Sequence, residues 1–247
     1  MGETKSLKTP FWRPFIKNIG WEVTEAYFPS FCVNCLAGLD IDDKYLCKNC
    51  QNQIEIVGTR TCIRCGKITK LGQYCSGCRP DMRLRGIIYL SSYDGPVKEL
   101  IHWFKYDKML GIGQVLFEII INNLPESLFD KFDLITSVPL HWEKKLERGF
   151  NQSEIIAKKL SKRAGKPYAE MLKRVKDTKS QMKLKRSQRL TNLEGAFCLG
   201  KNMEIIGKNI LIIDDVATTG ATLEECGKVL KAAGAREVWG LVVAHGK

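Results

Sequence analysis

ILIIDDVATTGAT, residues 210–222, strings three kinds of local structure together. Ile210 to Ile213 is a wholly apolar run, as expected of a buried parallel strand. Two adjacent carboxylates, Asp214 and Asp215, end that run. A small, hydroxyl-rich turn follows through Ala217, Thr218, Thr219, Gly220, Ala221 and Thr222, and a helical pattern begins at Leu223. Unpaired N–H groups at a helix start point outward, and the helix dipole favours an anion there. Gly220 permits a turn that a side chain would obstruct, and the threonine hydroxyls add donors. Strand, acidic pair, turn and helix together predict a phosphate cradle.

An acidic pair at a strand end is weakly specific, because receiver domains and metal-dependent nucleotidases place Asp there to bind a divalent cation. Joined to the Thr-Thr-Gly turn, the stretch resembles the phosphoribosyl pyrophosphate (PRPP) motif of type I phosphoribosyltransferases. That resemblance implies that Asp214 and Asp215 hold the 2′ and 3′ ribose hydroxyls, with Ala217 to Thr222 as the 5′-phosphate loop.

The flanking sequence alternates strands and helices. Ile87 to Tyr93 reads as a strand, Asp94-Gly95 as a turn, and Pro96 as the first position of a helix through Phe104. Leu110 to Asn123 and Phe150 to Ala164 read as helices, Asp133 to Val138 and Val238 to Val243 as strands, and 222–233 as the helix after the acidic motif. This order predicts a parallel sheet covered on both faces, with ligands bound beyond the carboxyl ends of the strands. Residues 1–30 are aromatic-rich and broken by Pro10, Pro14 and Pro29, with a short amphipathic helix expected from Lys17 to Ala26.

The chain has 247 residues, room for one α/β domain, 86–247, plus a small appendage. Its 44% hydrophobic content is enough for a core. No stretch approaches the ~20 apolar residues of a membrane span. The start lacks the pattern of a secretory signal, so the cytoplasm is the expected location. The net charge of +12 is concentrated: residues 141–190 carry sixteen Lys or Arg against five Asp or Glu. Such a belt attracts polyanions, either a phosphorylated sugar or a nucleic acid.

Within the belt, 139–152 follows a predicted strand and holds Lys144, Lys145, Arg148 and Gly149, suited to a pyrophosphate group. Read alone, the same residues are also a solvated, basic helix start. Residues 173–192 carry four apolar anchors among many charges and read as a mobile lid or a basic insertion.

Eight of the ten cysteines form four CxxC pairs: Cys32/Cys35, Cys47/Cys50, Cys62/Cys65 and Cys75/Cys78. Two such turns can surround one tetrahedral metal, so eight thiolates make two structural sites, with zinc the expected ion. Sequential and interleaved pairings both fit the spacing. Between the cysteines there is too little apolar sequence for a core, so metal would supply most of the folding free energy of 31–80. Cys198 and Cys226 read as ordinary core residues.

Taken together, the chain resembles the ComF family of competence-associated phosphoribosyltransferase-like proteins. The features that match are the double CxxC ribbon, Phe104-Lys105-Tyr106, Val138-Pro139-Leu140-His141 and Arg148-Gly149-Phe150-Asn151-Gln152. Arg174, Thr178, Gln181, Leu184, Arg186, Arg189 and Asn192 match as well, before the acidic motif itself. Ala217 stands where a larger aliphatic residue is more usual. The resemblance implies a type I phosphoribosyltransferase fold behind a small zinc-ribbon domain. It also implies a link to uptake of single-stranded DNA in natural transformation, with that DNA and a competence helicase or other uptake machinery as partners.

An enzyme is the leading expectation, with a DNA-binding adaptor and a regulator as alternatives. An enzyme would transfer a phosphoribosyl group from PRPP with Mg²⁺, using Arg148 and Lys144 or Lys145 on the pyrophosphate and Arg174 and Arg186 to complete the clamp. Lys105 and His141 are candidates for ligand contact, and no residue is marked as a general base. A DNA-binding adaptor would use the basic belt with aromatic stacking. A regulator would bind PRPP without chemistry.

Overall fold

The structure, a computed structural model, describes residues 31–40, 42–57, 60–176, 193–200 and 204–246. The aromatic segment 1–30 and most of the expected lid, Arg186 included, lie outside the described residues. In chain order come α1 (Lys48–Asn52), β1 (Gly86–Ser92), α2 (Gly95–Tyr106), α3 (Ile112–Asn123), β2 (Leu134–Ser137) and α4 (Trp142–Arg148). There follow α5 (Gln152–Ala164), β3 (Leu172–Arg174), β4 (Phe197–Leu199), β5 (Asn209–Ala217), α6 (Ala221–Ala232) and β6 (Glu237–His245).

Four strands make a parallel sheet in the order β1-β6-β5-β2. Side chains alternate across it, as pleating requires. On β5, Leu211 and Ile213 enter one core and Ile210 and Ile212 the other. The first core is closed by α2, α3 and α5 through Leu100, Phe104, Leu116 and Ile156. The second is closed by α6 and by the antiparallel pair β3–β4, through Leu223, Leu230, Leu172 and Phe197. This is the type I phosphoribosyltransferase-like sheet with helices on both faces.

Three regions add to or differ from expectation. The strand expected over 210–213 continues to Ala217, because β6 runs alongside it and supplies ladder partners as far as His245. Segment 139–152, suited to a pyrophosphate group and readable also as a basic helix start, contains α4. Its Glu, Lys, Leu and Arg residues favour a helix, which stops at Gly149 in the left-handed conformation, φ 80°. Strands β3 and β4 are only three residues long and leave no periodicity to read.

The cysteine-rich region is built as a repeat. Cys32 N–H bonds Ala37 O at 2.7 Å and Cys62 N–H bonds Lys67 O at 2.8 Å, with matching bridges Phe31–Gly38 and Thr61–Ile68. The two copies lie on opposite faces of the sheet. Cys32, Val33, Tyr45 and Leu46 join the first core; Cys62, Ile63 and Tyr74 join the second. Between them the ribbon crosses the outer edge of β1, where Val57 N–H donates to Leu90 O at 2.9 Å and Ile87 N–H donates to Gly72 O at 3.0 Å. Of the two leftover cysteines, Cys226 is buried in the second core, whereas Cys198 on β4 is partly exposed.

Candidate functional site

The crevice opens because neighbouring strands end at different heights. The last β2 residue, Ser137, pairs with Ile213, while β5 and β6 continue together past it. Asp214 and Asp215 are the first β5 residues without a β2 neighbour. Crevices at strand carboxyl ends are where such sheets bind ligands.

Asp215 is buried and Asp214 partly so, and both are held from outside their own strand. Asn151 caps α5: its Oδ1 accepts from Ser153 N–H at 3.1 Å and its Nδ2 donates to Val138 O at 2.9 Å. That cap ties the start of α5 to the chain leaving β2 and brings Ser153 Oγ within 2.7 Å of Asp214 Oδ1. Asp215 N–H donates to the same oxygen at 2.9 Å. From α2, Lys105 Nζ reaches Asp215 Oδ1 at 2.8 Å. Its neighbour Phe104 is fully buried, which contributes about 1.5–3 kcal/mol and anchors this end of α2.

Electrostatics set the pair apart. Burial, and then the adjacent Asp215 charge, push Asp214 up to about 7, with the Ser153 bond and Lys105 opposing. Burial acts to lower Lys105, but the charge and hydrogen bond of Asp215 outweigh it and hold the ammonium above its ordinary value.

The crevice has two lobes sharing Lys105, Asp214, Val216 and Thr222. One, about 220 Å³, is lined by Tyr93 and by Ala217, Thr218, Gly220, Ala221 and Thr222 at the start of α6. Here Gly220 has φ 75°, and a Cβ on it would stand 2.6 Å from Ile87 Cδ1, so a side chain would meet left-handed strain and force Ile87 to shift. Thr219 Oγ1 accepts from Ala221 N–H at 3.3 Å, which tightens the helix start. The other lobe, about 180 Å³, is lined by Asp215, Lys144, Arg148, Gln152, Ser153 and Arg174. Arg148 lies over the Tyr106 ring at 5.3 Å, and Arg174 over Phe197 at 5.6 Å. A larger cavity, about 410 Å³, opens between the first ribbon copy and α3; its charged lining is Lys44 with Asp42 and Glu118, a poor match for phosphate.

The structure thus brings Lys105, Arg148, Arg174, Asp214, Asp215 and most of the 217–222 loop to one crevice. Lys145 turns instead into a neighbouring cavity with Tyr168, Glu170 and Lys173. His141 is buried, with Nδ1 3.6 Å from Glu143 and its ring 5.7 Å from Trp142, and lines neither lobe. Ser153 and Tyr93 also line the crevice, though no motif in the sequence marks them as site residues. Asn151 followed three residues later by Glu154 has the spacing of a capping box, a signal that would have placed Ser153 in the first turn of α5.

The eight paired cysteines fall into two clusters, Cys32, Cys35, Cys47 and Cys50, and Cys62, Cys65, Cys75 and Cys78. Sequential pairing is therefore the arrangement present. All four sulfurs of a cluster lie within 4.8 Å of one another, with Cys35–Cys47 at 3.7 Å and Cys65–Cys75 at 3.5 Å. Those separations are far too long for disulfides. Tetrahedral zinc with bonds of about 2.3 Å sets sulfurs about 3.8 Å apart, which both clusters fit. Each is a zinc site with four sulfur ligands and no open position, hence structural.

Comparison with known proteins agrees with this architecture. Residues 23–79 match the double zinc ribbon domain and residues 149–247 the phosphoribosyl transferase domain. Competence protein F of Haemophilus influenzae is 31% identical over 236 residues, covering 88% of this chain and 99% of its own length. Competence protein ComFC of Streptococcus pneumoniae is 30% identical over 200 residues, covering 80% and 86%. DNA utilization protein YhgH of Escherichia coli (strain K12) is 29% identical over 225 residues, covering 85% and 96%. With a double zinc ribbon clasping a phosphoribosyltransferase sheet, and near-full-length similarity to these relatives, the chain belongs to the ComF family of competence-associated phosphoribosyltransferase-like proteins.

Proposed function

We propose that the crevice binds PRPP and transfers its phosphoribosyl group to a nucleophilic acceptor, in a role tied to handling single-stranded DNA during competence. The observation that carries this reading is the Asp214–Asp215 pair, held by Ser153 and Lys105 between an anion-suited turn and a cationic lobe. Asp214 and Asp215 accept the 2′ and 3′ hydroxyls of the ribose. The backbone of 217–222 and the α6 N-terminus hold the 5′-phosphate. Lys144, Arg148 and Arg174 face the pyrophosphate, so positive charge is already in place where negative charge develops as the C1–oxygen bond breaks. The electron pair leaves with pyrophosphate, and the acceptor's lone pair then closes on C1, any proton the acceptor carries passing to the departing pyrophosphate or to water.

The acidic pair offers too few oxygens for a dedicated divalent-cation cage, and a Mg²⁺ that arrives on the pyrophosphate needs none. Asp214 and Asp215 are the carboxylates it would face, and when bound it neutralises the leaving group.

Titrating PRPP with Mg²⁺ calorimetrically into wild type and into Asp214→Asn/Asp215→Asn tests the site. Binding by wild type that the double substitution removes supports it; a folded, zinc-loaded wild type that binds no PRPP refutes it. Pyrophosphate release on adding candidate acceptors then distinguishes transferase from regulator.

A second reading has its own observation. On basic α4, Trp142 and Leu146 are 61% and 74% exposed, one turn apart, and Tyr106 beside Arg148 is 50% exposed. Aromatic faces among Lys144, Lys145 and Arg148 suit stacking of single-stranded bases. The relatives' names, competence protein and DNA utilization protein, favour such a surface. A salt titration of DNA binding with and without PRPP separates two sites from one shared site.

A further inference from the structure

The phosphate loop is braced from outside the crevice. His245, at the end of β6, places its ring Nε2 2.8 Å from Thr218 O. A carbonyl oxygen only accepts, so that nitrogen carries a proton. The His245 ring stands 5.0 Å from the ring of Tyr89 on β1, whose hydroxyl lies 2.5 Å from Thr61 Oγ1. Thr61 precedes Cys62, the fully buried thiol of the second cluster. Two further contacts join the same parties. Glu224, in the first turn of α6, accepts from Arg83 N–H at 2.8 Å and Leu84 N–H at 3.4 Å, just past Cys78. Gly220 packs close to Tyr74, the residue before Cys75: a Cβ there would stand 3.6 Å from the Tyr74 hydroxyl. The first cluster has a different neighbour, since Trp103 Nε1 of α2 donates to Val33 O at 3.1 Å on the other face of the sheet.

We infer that the second four-cysteine centre and the phosphate loop are energetically coupled through Thr61, Tyr89 and His245, a route that the first centre, on the other face of the sheet, does not share. The inference rests on reading 217–222 as the 5′-phosphate loop. Tyr89 and His245 are positioning residues and touch no ligand themselves. When the four thiolates are clasped, Thr61 is fixed, the Tyr89 hydroxyl has its partner, and the imidazole is backed in the orientation that holds Thr218 O. With that carbonyl tied to the imidazole, the backbone of the loop is held in one conformation for an incoming phosphate. Releasing the clasp frees each link in turn. Coupling between two binding events is reciprocal, so phosphate in the loop must tighten metal at the second centre by the same factor. The second cluster then does more than hold its own fold together: it tunes the anion site across the edge of the sheet.

The test is equilibrium competition for zinc between the full chain and a chelator of known affinity, with and without ribose 5-phosphate. One of the two zinc ions per chain is expected to bind at least about fivefold tighter when ribose 5-phosphate is present, the other unchanged. Tyr89→Phe keeps the ring but loses the hydroxyl; it is expected to weaken ribose 5-phosphate binding and abolish the zinc effect. Thr61→Val repeats this from the ribbon side, and Trp103→Phe, at the first cluster, leaves the effect intact. If ribose 5-phosphate binds wild type yet changes neither zinc affinity, or protects Tyr89→Phe equally, the coupling is wrong and the PRPP reading stands. If neither ribose 5-phosphate nor PRPP binds zinc-loaded wild type, the phosphate-loop reading falls and the coupling with it.

Discussion

Lys105 Nζ and Asp215 Oδ1, 110 residues apart in the chain, meet at 2.8 Å inside the crevice, with both side chains more than four-fifths buried. Removing the ammonium strands a buried carboxylate, which costs more than the pair itself is worth. Lys105→Met is expected to lower the unfolding free energy by about 3 kcal/mol, and Lys105→Met/Asp215→Asn to recover a substantial part. Urea unfolding of the ligand-free protein measures both. A loss on Lys105→Met within experimental error would show that water, and not Lys105, satisfies Asp215.

Asp214 gives the site a pH dependence of known sign. Its carboxyl is raised from 3.8 to about 7 in the folded protein, so the folded state holds the proton more tightly. Its contribution to stability is therefore full below about pH 4 and is lost as pH rises towards 7. On the proposed reading ligand binding runs the other way: ribose hydroxyls would donate to the ionised form, so PRPP binding is expected to strengthen as pH rises through about 7 and to release protons. Calorimetry just below that pH, in two buffers of different ionisation enthalpy, reads the release, and Asp214→Asn must remove it.

Ser153 Oγ donates its hydroxyl proton to Asp214. Ser153→Ala removes a donor that favours the charged carboxylate, so the Asp214 transition moves further up. PRPP affinity near neutral pH is expected to fall about tenfold, the loss shrinking as pH is raised. An affinity-against-pH curve that keeps its midpoint in the variant would separate Ser153 from the charge state of the pair.

These residues show where a sequence is informative about a site and where it is not. The apolar runs 87–93, 133–138 and 238–243 mark strands within a few residues of β1, β2 and β6, because burial on both faces of a parallel sheet selects residues locally. Asp214 and Asp215 are legible because strand, acids and turn are contiguous. Ser153 is not, because its role depends on a cap that folds α5 against the end of β2. The basic residues of 139–152 are conspicuous, yet α4 spreads their side chains around a helix, and Lys145 ends in a different cavity from Arg148. Charge counts along a chain carry no information about that dispersal.

Gly220 is confined on two counts. A side chain there meets left-handed strain at φ 75° and the Ile87 Cδ1 atom at 2.6 Å. Gly220→Ala is expected to cost about 2–4 kcal/mol and to abolish binding of inorganic phosphate. Adding Ile87→Val relieves the contact without the backbone strain. Thermal unfolding of the double variant should therefore recover part of the stability, with phosphate binding still absent.

Metal content offers a direct count. Two zinc ions per chain are expected by elemental analysis, falling to one in Cys35→Ser and one in Cys65→Ser. Because each cluster feeds a different core, the first variant should loosen the packing around Trp103 and the second that around Tyr74. Tryptophan emission distinguishes them, since Trp103 lies 5.8 Å from Phe31 of the first copy.

The ribbon's passage over the edge of β1 bears on how the phosphoribosyltransferase half could ever exist alone. A chain begun at residue 86 would present an outer strand stripped of its contacts with Val57 and Gly72, flanked on both sides by apolar surface that the cysteine loops normally cover. Bare strand edges recruit other strands, so such a fragment is a template for self-association. In this chain the metal-binding loops are therefore more than an accessory: they serve as the sheet's missing neighbour.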